Sequence, residues 1–244
     1  MNEIETFKKW VAESENIVFF GGAGVSTESG IPDFRSKDGL YNQHDVQFDA
    51  FTPEYLLSHS CLRDHPNVFY EFYRQKMDCR DIAPNITHKK LADMEEKGKL
   101  SAIVTQNIDG LHQKAGSVKV YELHGTTLKN YCTNCGTTYA ADYIFENTDP
   151  IPKCGCGGTI RPDVVLYEEG LDDATVSGAI RAISAADMII IGGTSLAVYP
   201  AAGLLQYFHG KHMVLINKSA TPMDKDADLV LQCGLGEVFS QIEI

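Results

Sequence analysis

The chain has 244 residues, 43% of them hydrophobic, with 33 acidic against 21 basic side chains and a formal net charge of -12. That excess of carboxylates excludes direct nucleic-acid binding through a broad basic face, and by long-range steering it favours basic partners such as lysine-rich peptides. No apolar run is long enough to cross a bilayer, and the first residues lack an apolar signal region, so a cytoplasmic protein without membrane association is expected.

Ile4, Phe7, Trp10 and Val11 follow helical spacing and predict an opening helix over 3–14. The next stretch is the most informative. An apolar strand, Ile17–Phe20, breaks into Gly21-Gly22-Ala23-Gly24 and runs on to Ile31-Pro32-Asp33-Phe34-Arg35. A glycine-rich loop at a strand end can turn its N–H groups toward phosphates. The spacing Gly22-x-Gly24-x-x-Thr27 nevertheless misses the third glycine of the dehydrogenase fingerprint, so an ordinary Gly-rich turn stays open.

Residues 36–84 read as aromatic-rich and helical, with Thr52-Pro53-Glu54 a helix start and Val68, Phe69, Phe72 and Tyr73 an apolar face. A helix over 88–97 is capped by Thr87 or Asn85 and ended by Gly98. Further strands are expected at Ala102–Thr105, Val118–Leu123, Val164–Tyr167, Met188–Ile191 and Met213–Ile216, and a helix at 173–185. Strands alternating with helices predict an α/β fold, a doubly wound, Rossmann-like parallel sheet. Residues 36–84 and 127–160 leave this alternation and are expected to pack together as a small helical and zinc-binding insertion domain. The larger domain then comprises 1–35, 85–126 and 161–244, and the cleft between the two would hold the ligands.

Four further strand ends carry polar groups suited to chemistry. Gln106-Asn107-Ile108-Asp109-Gly110 follows one strand, and its amides and carboxylate could fix ribose hydroxyls or a carboxamide, although Asn-x-Asp-Gly is also a routine turn. Glu122-Leu123-His124-Gly125 ends the next, where a histidine is well placed as a general base near neutral pH. Gly192-Gly193-Thr194-Ser195 and Asn217-Lys218 end two more, offering hydroxyl and amide groups. Five strand ends meeting at one cleft argue more strongly than any single motif.

Of seven cysteines, Cys132, Cys135, Cys154 and Cys156 are clustered, while Cys61, Cys79 and Cys233 are scattered. Two close pairs predict four thiolates around a tetrahedral zinc ion that is coordinatively closed and therefore structural. Two local disulfides, or a nucleic-acid-binding zinc ribbon, are the rival readings; the loop is poor in Lys and Arg.

Taken together these motifs closely resemble the sirtuins, the NAD-dependent protein lysine deacylases. The resemblance runs through Gly22–Ser26, Ser29–Arg35, Gln106–Gly110, His124-Gly125, the cysteine pairs, Arg161–Val165, Gly193–Ser195 and Asn217, and so covers nearly the whole chain. It implies that NAD is a co-substrate cleaved between nicotinamide and ribose, and that an acetyl-lysine carbonyl oxygen attacks the ribose carbon. His124 would then activate a ribose hydroxyl toward the resulting imidate. The products would be nicotinamide, free lysine and O-acetyl-ADP-ribose. The resemblance further assigns Gln106, Asn107, Ile108 and Asp109 to the nicotinamide-ribose half, and Phe34 and Arg35 to the reactive face and its loop. Gly22, Ala23, Gly24, Thr27, Gly193, Thr194, Ser195, Asn217, Lys218 and Leu235 would hold the rest of the cofactor. Val165, Tyr167 and Glu168 would contact the substrate.

Three departures from the family pattern stand out: Gly21 in place of threonine, Glu168 in place of glycine, and the single residue between Cys154 and Cys156. In the stretch Phe72-Tyr73-Arg74-Gln75-Lys76, lysine stands where members specific for acidic acyl groups carry arginine, which points to acetyl-lysine proteins or peptides as partners. A monomer is expected. An NAD-dependent ADP-ribosyltransferase and a non-catalytic NAD-binding or zinc-ribbon module are the competing functions.

Overall fold

The computed structural model describes residues 2–34, 36–42 and 47–243. Helix α1 (Glu3–Glu13) starts where the Asn2 side chain accepts the Glu5 N–H at 2.8 Å and buries Phe7 and Val11. It leads into β1 (Ile17–Gly21), all five residues of which are buried. Side chains alternate across a strand. Ile17 and Phe19 accordingly enter the core on one face of the sheet, and Val18 and Phe20 enter the core on the other. Burial on both faces explains why this strand is a continuous apolar run. Each such side chain contributes about 1.5–3 kcal/mol relative to exposure.

The main sheet has six parallel strands. In spatial order they are β3 (Val120–Glu122), β2 (Leu100–Thr105), β1, β7 (Met188–Gly192), β8 (His212–Ile216) and β9 (Leu229–Leu231). From β1 the chain moves outward to β2 and β3, then returns to pair β7 on the other side of β1. The crevice where this order reverses, at the carboxyl ends of β1 and β7, is the ligand-binding position of open α/β sheets. Helices α1, α5 (Ile86–Glu96) and α9 (Leu235–Phe239) cover one face. Helix α8 (Asp173–Ala185) and the 3-10 turn Ala201–Tyr207 cover the other.

A second layer joins α2 (Pro53–Leu56), α3 (His59–Asp64), α4 (Pro66–Lys76) and α7 (Asp142–Phe145) to a three-stranded antiparallel sheet. That sheet is ordered β5 (Thr138–Ala140), β4 (Gly125–Cys132), β6 (Ile160–Val164). Its core mixes Phe69, Tyr70, Phe72 and Tyr73 of α4 with Cys132, Cys154 and Ile160. The Tyr70 hydroxyl donates to the Ile160 carbonyl at 2.7 Å, which ties the helical and cysteine-bearing excursions together.

Three expectations about elements need correction. The strand expected at Val164–Tyr167 is instead Ile160–Val164 and pairs antiparallel with β4. Its apolar run satisfies the core of the small sheet as readily as it would a parallel one. The strand expected at Val118–Leu123 is only Val120–Glu122, because it is an edge strand paired on one side. Strand β9, short and half-buried, carried too little apolar pattern to be expected at all. Of the two caps considered for α5, Asn85 is the one used.

Candidate functional site

The loop after β1 does not form a long helix but two 3-10 turns, Ala23–Val25 and Thr27–Ser29. Asn85 fixes it: the side-chain oxygen caps α5 through Thr87 N–H at 2.9 Å, while its amide donates to the Val25 carbonyl at 2.8 Å. The glycines have a packing reason as well as a ligand-facing one. A Cβ on Gly24 would lie 2.8 Å from the Gly193 Cα, and one on Gly22 would lie 2.8 Å from the Thr194 Cβ. The two strand-end loops therefore touch backbone to backbone, and Gly24 N–H donates to the Gly193 carbonyl at 2.8 Å.

Beside this contact opens a cavity of about 480 Å³ lined by Gly24, Thr27, Gly193, Asn217, Lys218 and Leu235 among the residues singled out from sequence. Glu28 and Asp33 also line it. Glu28 was missed: its carboxylate accepts the Gly236 N–H at the start of α9 at 3.2 Å, a contact across 208 residues that no local pattern could reveal. Ala23 is half-buried in the first 3-10 turn and Ser195 is exposed just beyond the touching loops. The contacts of this cavity fit a dinucleotide, since it joins glycine backbone, a lysine and strand-end amides in the crevice of the sheet.

A second group of residues lies deeper. The Ser26 hydroxyl donates to Asp109 Oδ2 at 2.6 Å and accepts from Asn107 Nδ2 at 3.1 Å, and Asp109 Oδ1 accepts the Leu111 N–H at 2.9 Å. Burial raises the Asp109 carboxyl above the usual range, opposed by the Ser26 and Leu111 hydrogen bonds. Ser26, to which local sequence gives no role, is the bridge that orients both partners. Gln106 Nε2 donates to Thr194 Oγ1 at 3.1 Å, joining the ends of β2 and β7. His124 Nδ1 lies 2.9 Å from the Gln106 carbonyl oxygen. A carbonyl only accepts, so in the neutral ring Nδ1 carries the proton and Nε2 keeps its lone pair. Burial lowers the His124 pKa, offset in part by this hydrogen bond, so the ring is held neutral.

Val165 N–H donates to the His124 carbonyl at 2.9 Å, which brings the segment after β6 against the histidine. Tyr167 follows, its hydroxyl 2.5 Å from that of Tyr41, and Tyr41 packs edge-on against Phe34 with ring centroids 5.4 Å apart. Phe34, Ile108 and Tyr167 thus sit on one apolar cluster of the small lobe. Tyr41 had no signal in the sequence. Arg35 lies outside the described residues. Glu169 pairs with Arg161 through both guanidinium nitrogens, at 2.5 and 2.9 Å. Although burial opposes ionisation, Arg161 and the Leu166 N–H hold this carboxyl down to about 2. In α4, Tyr73 is fully buried, stacked between Phe69 and Phe145, while Lys76 is half-buried at the last position of the helix.

The four clustered cysteines bring their Sγ atoms within 4.8 Å of one another, with Cys132–Cys156 at 3.5 Å and Cys135–Cys154 at 3.6 Å. All seven cysteines are free thiols. A tetrahedral zinc with bonds of about 2.3 Å sets sulfurs about 3.8 Å apart, so the set fits zinc, and the separations are far beyond a disulfide bond of about 2.05 Å. Donors already surround it: Asn134 N–H reaches Cys132 Sγ at 3.4 Å, and the Tyr139 hydroxyl reaches Cys154 Sγ at 3.0 Å.

The model of the Sir2 family matches residues 22–200. An NAD-dependent protein deacetylase of Clostridium acetobutylicum is 56% identical over 243 residues, which are 99% of this chain and 98% of that protein. The chain belongs to the Sir2 family. Another relative, an NAD-dependent protein deacetylase of Cutibacterium acnes, is 52% identical over 98% of this chain and 97% of its own length. Among solved structures, a Sir2 protein bound to acetylated peptide superposes with a TM-score of 0.87 at 34% identity, covering 99% of this chain and 97% of that one. A complex of Sir2 with a p53 peptide and NAD+ gives 0.84 at 37% identity over 99% and 97%. The Sir2 fold is therefore present from end to end, and the doubly wound sheet and small lobe expected from sequence are those of the family.

Proposed function

We propose that this Sir2 chain is an NAD-dependent protein-lysine deacetylase that converts NAD and acetyl-lysine into nicotinamide, free lysine and O-acetyl-ADP-ribose. The observation that carries the reading is the tautomer of His124. Its Nδ1–H is engaged by the Gln106 carbonyl, so the free Nε2 can accept the proton of a ribose hydroxyl, and burial keeps the ring neutral for that task. A binding module would need no such base.

The co-substrate supplies an electrophilic ribose carbon once the bond to nicotinamide weakens; the protein has to bind, orient and exclude water. The cavity with Gly24, Thr27, Gly193, Asn217, Lys218 and Leu235 takes the adenosine and pyrophosphate portion, and Gly22, Ala23, Thr194 and Ser195, in the two loops that supply Gly24 and Gly193, are assigned to the same portion. Asn107 and Asp109, held by Ser26, together with Gln106 and Ile108, take the ribose and carboxamide end. Phe34 screens that end from water, and Arg35, outside the described residues, is assigned to the cofactor loop by the family motif alone. Val165, Tyr167 and Glu168 border the acyl-lysine, whose aliphatic stem suits the apolar wall of Phe34, Ile108 and Tyr167. With Tyr73 sealed in the core, acetyl-lysine is the favoured substrate over acidic acyl-lysines. Cys132, Cys135, Cys154 and Cys156 hold a structural zinc. The three cysteines outside the zinc set, Cys61, Cys79 and Cys233, are not in disulfides and fit a reducing compartment, and we assign the protein to the cytoplasm; no described helix is long and apolar enough to cross a membrane.

The test is incubation with NAD and an acetyl-lysine peptide, followed by mass spectrometry. Nicotinamide release with loss of the acetyl group is expected. His124→Ala should retain its fold and NAD affinity while deacetylation falls at least about 100-fold, the scale of a lost general base. ADP-ribose transferred to protein without deacetylation would make the chain a transferase. Near-normal turnover of the variant would remove His124 from the role.

A further inference from the structure

Two consecutive glutamates follow the segment that abuts His124, and the structure gives them opposite fates. Glu169 is neutralised: Arg161 grips it with two nitrogens, His59 Nδ1 lies 2.9 Å away, and the Leu166 N–H donates to it at 2.9 Å. Arg161 is itself only 8% exposed, so this pair is internal scaffolding. Glu168 is exposed and, among the described residues, forms no ion pair. Its Oε2 accepts the Ser60 N–H at 2.9 Å and the Ser60 hydroxyl at 2.7 Å, and the side chain is otherwise exposed. Arg63, on the same helix as Ser60, is forked onto Asp64 through two bonds of 2.7 Å and does not neutralise it.

Glu168 also sits at φ 75°, a left-handed conformation that glycine adopts at least cost. Strained positions of this kind persist where the surroundings over-determine them, and they gather at functional sites. Here the surroundings are in view. Tyr167 N–H donates to the Leu57 carbonyl at 3.0 Å, and His59 N–H donates to the Tyr167 carbonyl at 3.1 Å. Together with the Val165 bond to His124, these contacts lock the segment from the histidine to Glu168 against α3. Glu168 opens onto a cleft of about 880 Å³ lined also by the carboxylates of Asp163 and Asp172, by the mutually neutralised Arg161–Glu169 pair with His59, and by Glu122, whose carboxyl pKa is raised by burial. Lys129 is the cation there not already paired in an ion pair among the described residues.

We propose that Glu168 is a specificity-determining residue that selects acetyl-lysine peptides carrying an arginine or lysine beside the modified residue. The proposal rests on the deacetylase reading. Its logic is electrostatic: a carboxylate fixed through one oxygen, held at the end of the substrate segment with Asp163 and Asp172 lining the same cleft, attracts a flanking cation and repels a flanking anion. For a solvent-exposed pair a few ångströms apart the effect is about 3- to 10-fold in kcat/KM, and salt diminishes it.

The experiment compares one acetyl-lysine peptide in versions with alanine, arginine or glutamate at each of the two positions on either side, using the wild type, Glu168→Gln and Glu168→Gly. The glycine variant relieves the backbone strain, so loss of folding does not confound the result, and thermal unfolding checks both variants. The wild type should favour arginine over alanine about 3- to 10-fold at one or more positions and disfavour glutamate there. That ratio should fall toward one in both variants and in 0.5 M salt. Wild-type ratios near one at every position, or a preference that survives in both variants, overturns the proposal while leaving deacetylation standing. Failure to deacetylate any peptide overturns the deacetylase reading itself and this proposal with it.

Discussion

Two buried histidines pack against each other with no ion-pair partner among the described residues. His88 on α5 is 0% exposed and His112, on α6 (Leu111–Lys114), is 1% exposed, with ring centroids 4.8 Å apart. His88 Nε2 and both ring nitrogens of His112 have no protein hydrogen-bond partner among the described residues. Burial lowers the His88 pKa to about 4, and burial together with the neighbouring His88 lowers that of His112 to about 3. Both pKa values lie below the unfolded value near 6.5, so the unfolded chain binds more protons at acid pH. The stability these neutral rings contribute is complete above about pH 6.5 and is lost as pH falls toward 4 and 3. Between pH 6.5 and 5.0 each ring costs about 1.5 units times 1.36 kcal/mol, or about 2 kcal/mol, a large part of a total stability of about 5–15 kcal/mol. Glu122, raised by burial to about 7, titrates in the opposite sense and partly masks this loss. The histidine contribution is therefore read as a difference. Urea unfolding of the wild type and of His112→Gln at pH 7.5 and pH 5.0 should show the gap between the two proteins shifting by about 2 kcal/mol in favour of the variant at pH 5.0. A gap independent of pH would refute the reasoning, because it would mean that His112 is not held neutral by its surroundings.

Two further outcomes are expected. Metal analysis should find one zinc per chain, and removing it with a chelator should unfold the lobe that contains β4, β5 and β6 while the parallel sheet persists, as read by circular dichroism and limited proteolysis; folded, active protein free of zinc would contradict this. Gly24→Ala should lower thermal stability by about 1–3 kcal/mol and weaken NAD binding, since its Cβ would press 2.8 Å from the Gly193 Cα; unchanged calorimetric stability and affinity would show that the two loops separate freely.

Much of this protein is determined locally. Continuous apolar runs such as Met188–Ile191 point to strands buried on both faces, because a sheet covered by helices on each side buries every residue of such a run. The glycines after β1, the polar residues after β2 and β7, and the paired cysteines were legible because each lies within a few residues of a strand end or of its partner. What the sequence left open depended on contacts between distant segments. Whether Val164 belonged to the parallel or the antiparallel sheet was decided by pairing with β4, not by its apolar neighbours. The roles of Ser26, Glu28 and Tyr41 arise from partners at Asp109, Gly236 and Tyr167, brought close only by the fold. The neutral, singly oriented ring of His124 is likewise tertiary: it needs the Gln106 carbonyl from the adjacent strand and the burial that only packing supplies. Periodicity and turn chemistry act over a few residues and so can be read along the chain. Hydrogen-bond partners, pKa shifts and the fate of Glu168 as against Glu169 depend on which surfaces meet, and that is settled only when the two layers pack.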